Sequence, residues 1–162
     1  MEHIAKAFLP LFFLVASTGC DNDRLAKLEK QNVALSEQLA SLQKSNQLEL
    51  QSKCAKDAKM WFTENWQSDK DTILLTFENH YSERLNKCII TVFYNYNIGG
   101  RTSSFQKITS IYDIYENARL AEYSELHMLI ANKSEVQMGT CEVRGVRCAT
   151  GAEFSKRVAD FQ

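Results

Sequence analysis

Cysteine offers this sequence its richest chemistry. The first of five cysteines, Cys20, follows an apolar run of about ten residues (Ala7 to Ala16) and the small residues Ser17, Thr18 and Gly19. That run falls short of the roughly 20 residues a helix needs to cross a bilayer, but it suits a signal-peptide core. Export would place Cys54, Cys88, Cys141 and Cys148 in an oxidising compartment, where an even set of cysteines in a small domain forms disulfides. Residues 141–148 form a near-palindrome centred on Arg144-Gly145. Folded as a hairpin, it sets Val143 against Val146, Glu142 against Arg147 and Cys141 against Cys148, close enough to bridge. Cys54 then pairs with Cys88. The rival connectivity sends both hairpin cysteines out to Cys54 and Cys88.

Other reactive groups are sparse. His80 and His127 lie in separate strand-like runs, and the sequence holds neither an H-x-x-x-H nor a C-x-x-C spacing that would suggest a metal site. Each histidine reads as a hydrogen-bonded strand residue rather than a ligand, and no metal or cofactor is expected. Cys54 with His80 as base would make a nucleophile pair, but a paired structural cysteine fits an oxidising compartment better. Asp113, Glu116, Glu122 and Glu125 either gather at one site or form a solvated face. Gly99-Gly100 reads as a hairpin turn. The aromatics Phe93, Tyr94, Tyr96, Phe105, Tyr112, Tyr115 and Tyr123 are dense enough to supply a core, with any outward tyrosines left for recognition. No catalytic residue is assigned. A formal charge of −1, with no lysine or arginine block, gives no footprint for nucleic acid.

Three segments must position these residues: 1–19 as signal peptide, 20–52 as a helical spacer and 53–162 as a disulfide-stapled domain. From Arg24 to about Leu50 the chain lacks Gly and Pro and is rich in helix formers. A heptad frame puts Leu25, Asn32, Leu39 and Asn46 at a and Leu28, Leu35 and Leu42 at d, a seam resembling a leucine zipper. Asparagine at a pairs with its mate in one register, which favours a parallel dimer or trimer over a lone spacer helix. Ser52 to Trp66 continues the helix with a broader apolar face: Ala55, Ala58, Met60-Trp61-Phe62 and Trp66. Asp69-Lys70-Asp71 mark a turn. Strands are predicted over Thr72–Tyr81, Lys87–Asn97 and Ser103–Ile114. In the second, Cys88, Ile90, Val92 and Tyr94 share one face. Glu116–Asn132 is open to two readings, a helix start at Tyr115–Leu120 or a strand at Glu122–Ile130. Thr150-Gly151-Ala152-Glu153 is a capping box for a last helix carrying Phe154, Val158 and Phe161 on one side. The fold class is α+β: an antiparallel sheet with helices at both ends, packed on one face.

Ser17-Thr18-Gly19-Cys20 resembles the lipobox of bacterial lipoproteins, although Ser17 stands where the commonest form has leucine. The resemblance implies cleavage before Cys20, a diacylglycerol thioether on its thiol and an acyl chain, palmitate for example, on its amino group. Asp21 resembles the signal that retains such proteins in the inner membrane of two-membrane bacteria. Asn79-His80-Tyr81, followed by Leu85-Asn86-Lys87-Cys88 and a late cysteine pair, resembles a segment of small exported bacterial domains of unassigned function, over roughly 54–161. The expected protein is an envelope lipoprotein on the periplasmic side, presenting a domain that binds another envelope protein or a glycan. Two further expectations are an envelope hydrolase built on His80 and carboxylates, and a structural spacer or exclusion lipoprotein.

Overall fold

The computed structural model describes residues 19–98, 104–130 and 133–161. The apolar run, Ser17 and Thr18 lie outside the described residues, and Gly19–Asp21 are described only as the backbone start of a helix. By contact the chain divides into two units, Met1–Lys44 and Ser45–Gln162.

Helix α1 runs over Gly19–Asn65. Within the first unit it is a single exposed helix, and Leu25, Leu28, Leu35, Leu39 and Leu42 are between 55% and 66% exposed. Asn32 and Asn46 are exposed as well.

The second unit holds a six-stranded sheet in the order β1-β2-β3-β4-β5-β6. Its strands are β1 (Thr72–Ser82), β2 (Lys87–Asn97), β3 (Phe105–Asp113), β4 (Ala118–Ile130), β5 (Lys133–Val143) and β6 (Val146–Arg147). Every neighbouring pair is antiparallel. Short connections between successive strands suit antiparallel neighbours. A helix α2 (Gly151–Val158) and a 3₁₀ turn (Ala159–Phe161) end the described chain.

The two helical segments of this unit cover opposite faces of the sheet, not one face as the sequence suggested. Cys54 and Ala58 of α1 pack with Cys88, Ile90 and Val92, joined by Trp61, Phe62 and Trp66. On the other face Phe154 and Phe161 pack with Ile89, Ile111, Ala121, Cys141 and Val143. The cause lies in β2. Cys88-Ile89-Ile90 is a continuous apolar run, so consecutive side chains need cover on both sides, and all three are buried. Trp61 contacts the Tyr112 ring at 4.9 Å, and its Nε1–H donates to Asn117 Oδ1 at 3.0 Å.

Three segments differ from expectation. The ambiguous stretch forms β4 without a helix, because a tight turn precedes it. Buried Asp113 accepts the N–H groups of Tyr115 at 3.0 Å and Glu116 at 3.4 Å through Oδ1, and Asn117 takes φ 49°. Strand β3 starts at Phe105 and stops at Asp113, short of the predicted Ile114. Strand β5 reaches back to Lys133, well before the expected hairpin.

The hairpin itself has the anticipated register, Glu142 opposite Arg147 and Val143 opposite Val146. Arg144 (φ 51°) and Gly145 (φ 75°) both take left-handed backbone, the pattern of a type I′ turn. Cys141 is bonded to Cys148, and Cys54 to Cys88. The second bridge fastens α1 to β2. Thr150 caps α2 by accepting the Glu153 N–H at 3.1 Å, while the Glu153 carboxylate accepts from Ala149 N at 2.8 Å. The reciprocal bond therefore lands one residue before the cap.

Candidate functional site

Side chains two apart on a strand share a face. Tyr123, Glu125 and His127 therefore stand in line on β4, on the face that carries α2. The Tyr123 hydroxyl donates to Glu125 Oε1 at 2.8 Å, and His127 Nε2 lies 3.0 Å from Glu125 Oε2. An ionised carboxylate only accepts, so that ring nitrogen carries the proton and Nδ1 of the neutral ring is left as an acceptor. The Phe105 ring stacks on His127 at 4.7 Å with 5° between planes. Lys107 stands opposite Glu125 with its Nζ 5.7 Å from the Phe105 ring centre. Across on β5, Val136 faces His127 and Met138 faces Glu125.

The line begins under α2 and runs out among exposed neighbours, its histidine stacked on Phe105 and itself only 17% exposed. Tyr123 contacts Phe154 of α2 at 5.2 Å. Beyond it the sheet face is uncovered: Val136 is 55% and Met138 39% exposed, and Lys107 is exposed. Phe105, His127, Met128, Leu129 and Ser134 line a hollow of about 240 Å³ at that end.

The electrostatics follow from these bonds. Hydrogen bonding by Tyr123 is the main cause holding the Glu125 carboxyl below its usual range, with His127 and Lys107 adding to it against partial burial. Burial, reinforced by the carboxylate, raises the Tyr123 phenol. The result is a fixed carboxylate between a phenol and an imidazole, flanked by an aromatic ring and a lysine. Such a set can donate, accept and stack. A nucleophilic triad would also need a hydroxyl or thiol on the free ring nitrogen. Ser134 lines the same hollow but makes no hydrogen bond to His127 among the described residues.

The chain matches no family model, no curated protein and no solved structure.

Other sequence candidates are dispersed. The His80 Nε2 lies 2.7 Å from the carbonyl oxygen of Phe161, a bond that ties β1 to the chain's last turn. The acids do not gather. Asp113 and Glu116 share Lys87, Glu122 pairs with Arg119, and Glu125 belongs to the line above. Cys54 is in a disulfide and cannot act as a nucleophile. No group of three His, Cys, Asp or Glu side chains suited to a metal ion occurs among the described residues. No helix among them is long and apolar enough to cross a membrane. The Tyr123–Glu125–His127 line went unassigned in the sequence because its segment was open to helix or strand. A period of two across Tyr, Glu and His was the available signal.

Proposed function

We propose that this protein is a lipid-anchored lipoprotein of the bacterial cell envelope whose disulfide-stapled domain binds another envelope component, a protein or a glycan, on the open half of its sheet. The observation that carries the binding reading is the Tyr123–Glu125–His127 line, prealigned by its own hydrogen bonds and continuing past the cover of α2. Groups fixed before binding lose little entropy on complex formation, and mixed polar and aromatic surfaces are common anchors. The anchor reading rests on Ser17-Thr18-Gly19-Cys20, with Cys20 lipidated and Asp21 favouring retention in an inner membrane.

Residues 20–52 serve as the spacer. The exposed leucines of the Leu25-to-Asn46 seam support a parallel dimer or trimer, since a lone helix leaves them in water. The alternative of an envelope hydrolase built on His80 and carboxylates has less support, because His80 bonds to the Phe161 carbonyl oxygen and to no carboxylate among the described residues.

Photocrosslinking in the native envelope tests the binding reading. A photoreactive residue at Lys107 or Val136 should give one discrete adduct that Glu125→Gln and His127→Ala abolish, while the same probe at Lys156 gives none. Equal labelling from all three positions, or adducts indifferent to Glu125 and His127, would refute it.

A further inference from the structure

The edge strand β1 carries a second feature, separate from the His127 patch. The backbone N–H of Tyr81 donates to Gln51 Oε1 at 2.8 Å, so it points away from β2. Outward and inward backbone groups alternate along an antiparallel edge. The N–H and C=O groups of Leu75, Phe77 and Asn79 therefore also point outward, and nothing takes them among the described residues. Beside them Phe62, Trp66 and Leu75 line an open groove of about 510 Å³.

Exposed edges are usually blunted by charge, proline, bulges or cover. The opposite edge follows that rule. There β5 carries Lys133 and Glu135, breaks register near Gly139 and is partly covered by β6. Strand β1 has an irregular register between Thr72 and Leu74 and a charge at Glu78, but between them residues 74–77 (Leu-Leu-Thr-Phe) carry no charge, and among the described residues Gln51 caps the edge only farther along, at Tyr81. We propose that β1 is a strand-addition site for an extended segment of another protein, apolar at alternate residues. Main-chain bonds to Leu75, Phe77 and Asn79 would hold it, and its alternate side chains would enter the Phe62–Trp66–Leu75 groove. A second copy of β1 fits less well. The side chains it would turn toward that groove are Leu75 and Phe77, which already pack on their own α1, with Phe77 4.5 Å from Phe62.

The test uses the full chain and a panel of fluorescent peptides of about ten residues, with Val, Leu, Phe or Tyr at alternate positions. Binding should slow amide exchange at Leu75, Phe77 and Asn79 and leave 133–140 unchanged. Methylating alternate backbone nitrogens of the bound peptide should weaken it about tenfold or more, as should Leu75→Pro, which removes an outward N–H but no ladder bond. His127→Ala should leave binding unaltered, which separates this site from the patch on β4. The proposal is overturned if the methylated peptide binds equally well or if protection appears at 133–140. It is also overturned if β1 amides gain protection with protein concentration alone, the mark of a second copy, or if no peptide protects β1 at about 1 mM.

Discussion

The Lys87 ammonium lies 2.5 Å from Oδ2 of Asp113, a carboxylate that is wholly buried while its partner is 26% exposed. Glu116 meets the same ammonium at 2.6 Å from the solvent side. Asp113 also accepts two backbone N–H groups of the β3–β4 turn, so one side chain fixes the start of β4 and the line it carries.

Removing Asp113 should therefore cost more than an ordinary ion pair. Asp113→Ala orphans two turn N–H groups and one side of Lys87, and the expected loss is about 2–4 kcal/mol. Asp113→Asn keeps a carbonyl acceptor for the turn and should cost clearly less. Chemical denaturation of both variants checks the order; equal losses would show that the turn bonds contribute little.

The two disulfides should differ in weight. Cys54–Cys88 spans 34 residues and Cys141–Cys148 only 7. Chain-entropy arguments favour the longer loop by about 1 kcal/mol, against the roughly 2–5 kcal/mol that native bridges contribute in small disulfide-bonded domains. Thermal unfolding of Cys54→Ser/Cys88→Ser and Cys141→Ser/Cys148→Ser should show the larger drop for the first pair. A thiol count on the oxidised wild type should find none of the four free.

Glu125 gives a pH dependence with a definite sign. Its carboxyl is lowered in the folded state, chiefly by the Tyr123 hydroxyl. Its contribution is complete above the unfolded glutamate value of about 4.3 and disappears as pH falls through the lower folded value. Tyr123→Phe should raise the Glu125 titration midpoint in carboxyl-carbon NMR and cost about 1 kcal/mol at neutral pH. An unmoved midpoint would remove Tyr123 from the site.

The seam predicts association. Sedimentation of the full chain should give a dimer or trimer, and Leu35→Lys with Leu42→Lys should return it to a monomer without altering the unfolding of the sheet. A wild-type monomer at high concentration would leave residues 20–52 as a spacer alone.

Legibility followed local signal strength. Strand β2 was readable to the residue because Lys87–Asn97 is β-branched and aromatic between turn residues, and the Arg144-Gly145 hairpin because its pairs mirror one another. Strand β5 was not, since Lys133–Thr140 is mostly polar, with only Val136 and Met138 apolar, and no residue in it is buried. Gly139 adds to the difficulty. A side chain there would stand 2.6 Å from the Ser124 hydroxyl, which accepts the Thr140 N–H at 2.8 Å in the irregular register. In the sheet this glycine permits a bulge. The site was hidden for a related reason. Its histidine and carboxylate are plain in the sequence, but their alignment depends on β4 being a strand, which the buried Asp113 turn decides.

The proposed lipid anchor is tested most directly by the mass of the protein's N-terminal peptide, isolated from the membranes of the native host. The mature chain should begin at Cys20 and carry a diacylglycerol thioether, and Cys20→Ala should release the protein from membranes. An unmodified Cys20, or a Cys20→Ala protein still held on membranes, would contradict it.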